Sequence, residues 1–148
     1  MIIMKLIKNK NSLSAAYSLK NNFYLITQNK LKQKLKNLSK NFKIQTRICL
    51  HKNIKDTLHQ MIIFQPKNTI PKIKKHPNKD KTYILINGKH VVEIFDQKKK
   101  IVKKIILKKY NILNLKKNIY HRNYSISEKS IHLEIISGPF DKYNDQKF

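Results

Sequence analysis

Residues Pro71 to Gly88 read PKIKKHPNKDKTYILING, and the spacing inside this stretch decides the fold. Its fixed positions are Lys74, His76, Lys81 and Gly88, in the order Lys-x-His-x4-Lys-x6-Gly. Side chains two apart on a strand point to one face, so positions 74 and 76 are expected to look the same way. Thr82 to Ile86 continues as an apolar run, and Asn87-Gly88 separates it from a second run over His90–Asp96. Both turn residues tolerate positive φ, which makes this the strongest hairpin signal in the chain.

Working outward, strand-like segments are expected at Thr46–His51, Leu58–Gln65, Thr69–Ile73, Lys81–Ile86, His90–Asp96, Ile101–Lys108, Tyr110–Leu115 and Ile131–Ile136. Asp96-Gln97-Lys98 reads as a further turn. Only one segment has helical spacing. Thr27 is placed to cap a helix from Gln28 to Phe42, with Leu31, Leu35, Leu38 and Phe42 on one stripe. That pattern suits a helix lying on a sheet. Residues 1–25 show no sustained period and are expected to be poorly ordered. The division is then a helix and linker at 26–45, one β-barrel at 46–140 and a tail at 141–148. No Gly-rich phosphate loop is present.

Composition bounds the function. The chain has 148 residues and a net charge of +25, carried by 31 Lys and only 2 Arg. Ile and Asn are also in excess while Gly and Ala are scarce, a bias toward residues with A- and T-rich codons. Specific nucleic-acid contacts favour the planar fork of Arg, so the dispersed lysines point to base-composition drift and to non-specific, salt-sensitive adhesion to nucleic acid. The lone Cys49 excludes an internal disulfide and fits a reducing compartment, so a cytoplasmic location is expected. No run approaches the ~18 apolar residues of a membrane span, and the start lacks the apolar stretch of a signal peptide.

The spacing around Pro71–Gly88 resembles the cupin pattern His-x-His-x4-Glu-x6-Gly, with His121 as the late histidine. An ordered series carries the resemblance further: Arg47-Ile48-Cys49-Leu50-His51, Leu58-His59-Gln60-Met61, His76-Pro77-Asn78-Lys79, Ile86-Asn87-Gly88, Phe95-Asp96, Tyr120-His121, and Glu134 ahead of Gly138-Pro139-Phe140. Together these resemble the WbuC-type cupin-fold metalloproteins over roughly residues 26–140. The resemblance implies an all-β fold, a cupin-type double-stranded β-barrel (jelly roll) with a short N-terminal helix. It also implies a link to surface polysaccharide such as O-antigen, but no reaction.

The departures matter as much. The family would have His at 74 and Glu at 81, and this chain has Lys at both. An ammonium has three donors and no lone pair, and it repels a cation. His76 and His121 remain as an incomplete metal site, with Asp80 as a nearby carboxylate out of register. No cofactor is therefore expected to be required, a divalent transition metal being the alternative. Two ammonium groups in the place of a metal and its carboxylate could instead attract an anion. Lys74, Lys81, Arg47, His51, His59 and Glu134 are the candidate ligand-binding residues. Glu134 is otherwise expected to pair with Arg47 or a lysine, Cys49 to be a small core residue, and His90 and His132 to be exposed or structural.

The leading reading is a small-ligand cupin of the WbuC type in surface-polysaccharide or sugar-nucleotide metabolism, with a degenerate metal site. Its partner would be a small anionic or sugar-type ligand, and a homodimer is expected from exposed barrel edges. One alternative is a metal-independent isomerase or epimerase of sugar nucleotides, using His121 with Tyr120 or Tyr83 as base and acid. The other is a basic accessory protein that binds nucleic acid.

Overall fold

The computed structural model describes residues 6–9, 15–19, 25–67, 69–141 and 146–147. In chain order the elements are β1 (Leu6–Lys8), β2 (Ala15–Leu19), α1 (Gln28–Leu38), β3 (Thr46–Cys49), β4 (Leu58–Pro66), β5 (Lys74–Lys75), β6 (Lys81–Asn87), β7 (His90–Phe95), β8 (Ile101–Leu107), β9 (Ile112–Leu115), β10 (Tyr120–Ser125), β11 (Lys129–Ser137) and β12 (Gln146–Lys147). They form two sheets, ordered β1-β2-β3-β4-β11-β6-β9 and β12-β5-β10-β7-β8. Apart from the parallel β2–β3 pair, all neighbours are antiparallel. The result is the all-β, cupin-type jelly-roll barrel that the resemblance implied. The poorly ordered segment expected for 1–25 and the tail expected for 141–148 fall largely outside the described residues.

The larger sheet is covered on both faces, which explains the unbroken apolar run in β4. Ile62 and Phe64 turn outward, where with Ile48, Ile131 and Leu19 they pack against Leu31 and Leu35 of α1. Met61 and Ile63 alternate inward with Cys49 and Ala16. A second inner cluster joins Tyr83 and Leu85 of β6 to Val92, Leu107 and Leu115. The lysines of α1 stay on its solvent side, as the stripe predicts.

Four local expectations need correction. Helix α1 stops at Leu38 rather than Phe42, because the Ser39 hydroxyl back-bonds to the Leu35 carbonyl and Lys40, Asn41 and Phe42 all take positive φ. Phe42 keeps its apolar role by packing its ring 5.2 Å from that of Phe64. Thr27 is extended, as a cap residue should be, but its side chain makes no capping hydrogen bond. Thr69–Ile73 is not a strand. It contains Pro71, which cannot donate to a ladder, and pairing begins only at Lys74.

The Asn87-Gly88 turn is real, with Gly88 at φ 85 and its N–H donating to Asn87 Oδ1. It does not make a hairpin. Strand β6 lies in the larger sheet and β7 in the smaller, so this turn carries the chain from one wall of the barrel to the other. The Asp96 turn does close a hairpin, β7–β8, with Asp96 Oδ1 accepting from the Lys98 and Lys100 backbone N–H groups. Strand β10, absent from the sequence expectation, alternates polar inward residues (His121, Asn123, Ser125) with Arg122 and Tyr124 outside.

Candidate functional site

Alternation along each strand selects what enters the barrel. Strand β6 sends in Lys81, Tyr83 and Leu85, β11 sends in His132 and Glu134, and β10 sends in His121 and Asn123. Strand β4 adds His59, Met61, Ile63 and Gln65. The pairings Lys81↔Ile136 and Ile136↔His59 put the start of β6 and of β4 at one end of the barrel. The pairing His121↔Lys74 adds β5 and the start of β10 to it. This end is called the mouth below.

At the mouth Lys74, His76, Lys81 and His121 come together. The rings of His76 and His121 lie 5.5 Å apart, and both are buried. His121 Nδ1 donates to the Ile119 carbonyl at 2.8 Å, which fixes its tautomer and leaves the Nε2 lone pair directed into the lumen. That Nε2 has no hydrogen-bond partner among the described residues. Lys81 is only 2% exposed, and its ammonium lies 3.4 Å from Glu134 Oε1. Lys74 is half-buried beside them. Burial, then the Lys81 ammonium, with smaller contributions from His76 and Lys74, push His121 down to about 3 against one opposing backbone hydrogen bond. Burial acts to raise Glu134, yet Lys81, Lys74, His132 and Arg47 hold its carboxyl down at about 2.

Arg47 lies on the inner face of β3 and contributes to this positive field. His51 and His59 stack at 4.1 Å with rings 3° from parallel, and His51 Nδ1 donates to the Gln60 carbonyl. Burial lowers the pKa of both, and Cys49 nearby is pushed up by burial, so its thiol stays protonated and packs as a core residue. Glu134 takes Lys81 as its partner, one of the lysines left open by the sequence. Asp80 is engaged elsewhere, accepting from Lys116 Nζ at 2.8 Å and from the Lys117 backbone. Tyr120 faces outward under Lys75, whereas Tyr83 is wholly inside. His90 and His132, expected to be exposed or structural, are both fully buried in the lumen.

The divalent metal implied by the family pattern does not fit these residues. A lysine ammonium stands where the resemblance would place a carboxylate, and among the described residues no group of three or more His, Cys, Asp or Glu side chains could hold an ion. What the mouth offers instead is a neutral imidazole lone pair, a buried ion pair and cations at its rim.

The fold and this lumen define a cupin-type barrel. The chain belongs to the family described as "Domain of unknown function (DUF6016)", whose model matches residues 26–107, more than half of its length. No curated protein matches this sequence. Among solved structures, the capsular polysaccharide assembling protein CapF from Staphylococcus aureus superposes with a TM-score of 0.59 at 10% identity, over 71% of this chain and 29% of that one. KdgF from Halomonas sp. gives 0.54 at 13% identity, over 67% and 82%. Lactobacillus farciminis oxalate decarboxylase gives 0.51 at 19% identity, over 63% and 27%. This chain therefore spans less than a third of the CapF and oxalate decarboxylase chains. At these identities the likeness is one of fold.

Two outcomes follow for stability. Glu134→Gln removes the carboxylate held against the buried Lys81 ammonium and should lower the unfolding free energy by about 3–5 kcal/mol, whereas Lys81→Met/Glu134→Gln should recover most of that in urea titrations. The second concerns pH. His121 and His132 fall from 6.5 to about 3, His90 to about 4, and Glu134 from 4.5 to about 2. Within each interval the unfolded chain holds a proton that the folded chain does not, so stability should drop as pH falls through and below 6.5. The three histidines together should give a slope of about 4 kcal/mol per pH unit near pH ~5, measurable as a shift in urea midpoint.

Proposed function

We propose that this chain is a small-ligand cupin, of the WbuC type its sequence resembles, whose barrel mouth takes an anionic or sugar-type ligand in place of a metal. One observation carries the reading: the Lys81–Glu134 ion pair buried beside His76 and His121. The pair is internally neutral, so the net positive field at the mouth comes from Lys74 and Arg47, both inner-facing and near Glu134. A phosphate or carboxylate would meet those cations with the His121 lone pair behind them. The similarity in fold to a capsular polysaccharide assembling protein supports, as an analogy, a ligand from surface-polysaccharide or sugar-nucleotide chemistry.

A second reading is favoured by one further detail. Tyr83 accepts from Asn123 Nδ2 at 3.0 Å, and burial first, then Glu134, raises its pKa and keeps its phenol protonated. A neutral imidazole and a phenol in one lumen could serve as base and acid in a metal-independent isomerase or epimerase. The nucleic-acid reading has less support. Arg122 is held by Glu93 at 2.6 Å and Arg47 lines the mouth, which leaves phosphates only dispersed lysines on the outside. Homodimer formation would use the edge strands β8 and β9, where Ile101, Val102, Ile106 and Ile112 are exposed. Among the described residues no helix is long and apolar enough to cross a membrane.

Titration with inorganic phosphate and with a UDP-sugar, followed through the ring nitrogens of His121 and the Nζ signal of Lys74, should show saturable shifts. Unmoved signals at millimolar ligand would sink the proposal. The metal argument has its own check. Lys74→His/Lys81→Glu adds one imidazole and one carboxylate to His76 and His121, so this variant should bind one divalent ion and melt higher in its presence, while the wild-type chain should not.

A further inference from the structure

All six histidines of the chain lie at the mouth or in the lumen, and two of them, His90 and His132, form a tier beyond the Lys81–Glu134 pair. His132 stands opposite Leu85 on β6, whereas Lys81 at the start of that strand faces Ile136. The rings of His90 and His132 are 4.5 Å apart, with Tyr83 edge-on to His132 at 5.7 Å. No Lys, Arg, Asp or Glu projects inward beside them from β4, β6, β7, β10 or β11 other than Lys81 and Glu134 at the mouth side.

The hydrogen bonds of this tier run in one direction. Asn123 Nδ2 donates to Tyr83 Oη at 3.0 Å, so Asn123 Oδ1 must accept, and it does so from His90 Nε2 at 3.0 Å. His90 Nδ1 then accepts from the Ser130 hydroxyl at 2.9 Å. Gln65 Nε2 donates to the Thr69 and Asn123 carbonyls. Four valences are left over. Among the described residues they are the N–H and the lone pair of His132, neither with a partner, the Gln65 Oε1 acceptor, also without one, and the Tyr83 phenol proton. Burial, then His90, lowers His132 to about 3, so its imidazole is neutral and offers one donor and one acceptor on opposite edges. Buried polar groups are rarely left unpaired, because each then loses its hydration without a hydrogen bond in return. The complement of a tier with equal donors and acceptors and no charge is the hydroxyl group, which both gives and takes one hydrogen bond.

We infer that the tier around His132, with Gln65 and Tyr83, is a hydroxyl-recognition subsite for a polyol whose anionic group is held at the mouth. The inference rests on the ligand class proposed above and narrows it to sugar phosphates or sugar acids over bare anions. Buried water has the same chemistry, so the experiment must separate the two sources of hydroxyl.

Isothermal titration of the full chain with glucose 1-phosphate and with inorganic phosphate does so, alongside the ring-nitrogen resonances of His132. The sugar phosphate should bind at least about tenfold more tightly and should move the His132 nitrogens, while inorganic phosphate should leave them in place. His132→Phe keeps the ring volume and removes both polar edges. It should reduce glucose 1-phosphate to the affinity of phosphate without changing phosphate itself. Should that variant fail to fold, the resonance shifts in the wild-type chain decide the matter. Equal affinities with unmoved His132 signals would mean that water alone fills the tier, which overturns this inference and leaves the mouth intact. Binding of neither probe would remove the mouth reading and the subsite with it.

Discussion

A lysine ammonium buried inside a β-barrel is tolerable only if a carboxylate is held against it. Here β6 and β11, neighbours in the larger sheet, supply Lys81 and Glu134 to the same interior point. Removing two charges from water is costly, and their attraction offsets that cost only while the geometry is kept. The pair therefore constrains the register of two central strands, because a one-residue slip of either would turn its charge outward. It also sets the electrostatics of the mouth, where the ammonium helps hold His121 neutral.

The barrel can carry such a polar interior because much of its apolar packing lies outside it. Helix α1 and the outer face of the larger sheet make one cluster around Leu35, Ile48, Ile62 and Phe64. The lumen is apolar in part, around Leu85, Val92 and Leu107, and elsewhere it is bridged by side-chain hydrogen bonds between the two walls. Those bridges join Asn123 to Tyr83 and His90 to Ser130 across sheets that share no ladder. The outer cluster thus supplies apolar packing that does not depend on the polar side chains of the lumen.

Much of this was legible in the chain. The spacing from Lys74 to Gly88 specified the barrel, and the Leu31–Leu35 stripe specified a helix lying on a sheet. Other features were not visible, for identifiable reasons. Asn87-Gly88 signals a tight reversal, but a turn of two residues is equally compatible with strands that pair and strands that part into separate sheets. Strand β10 escaped notice because its inward residues are His121, Asn123 and Ser125, so a polar lumen erased the apolar alternation that marks a strand. His132 was read only as exposed or structural, for a different reason. It sits in an apolar run, and only its partners across the barrel show that it faces a polar tier.

The sequence by itself determined the barrel and the helix laid against it, because these depend on residue type and spacing along single strands, turns and one helical stripe. Which lysine Glu134 would neutralise, which tyrosine would face inward and where the histidines would meet depended on contacts between strands far apart in the chain. Tertiary structure alone decided those, since sheet order and register bring together side chains that no local pattern connects.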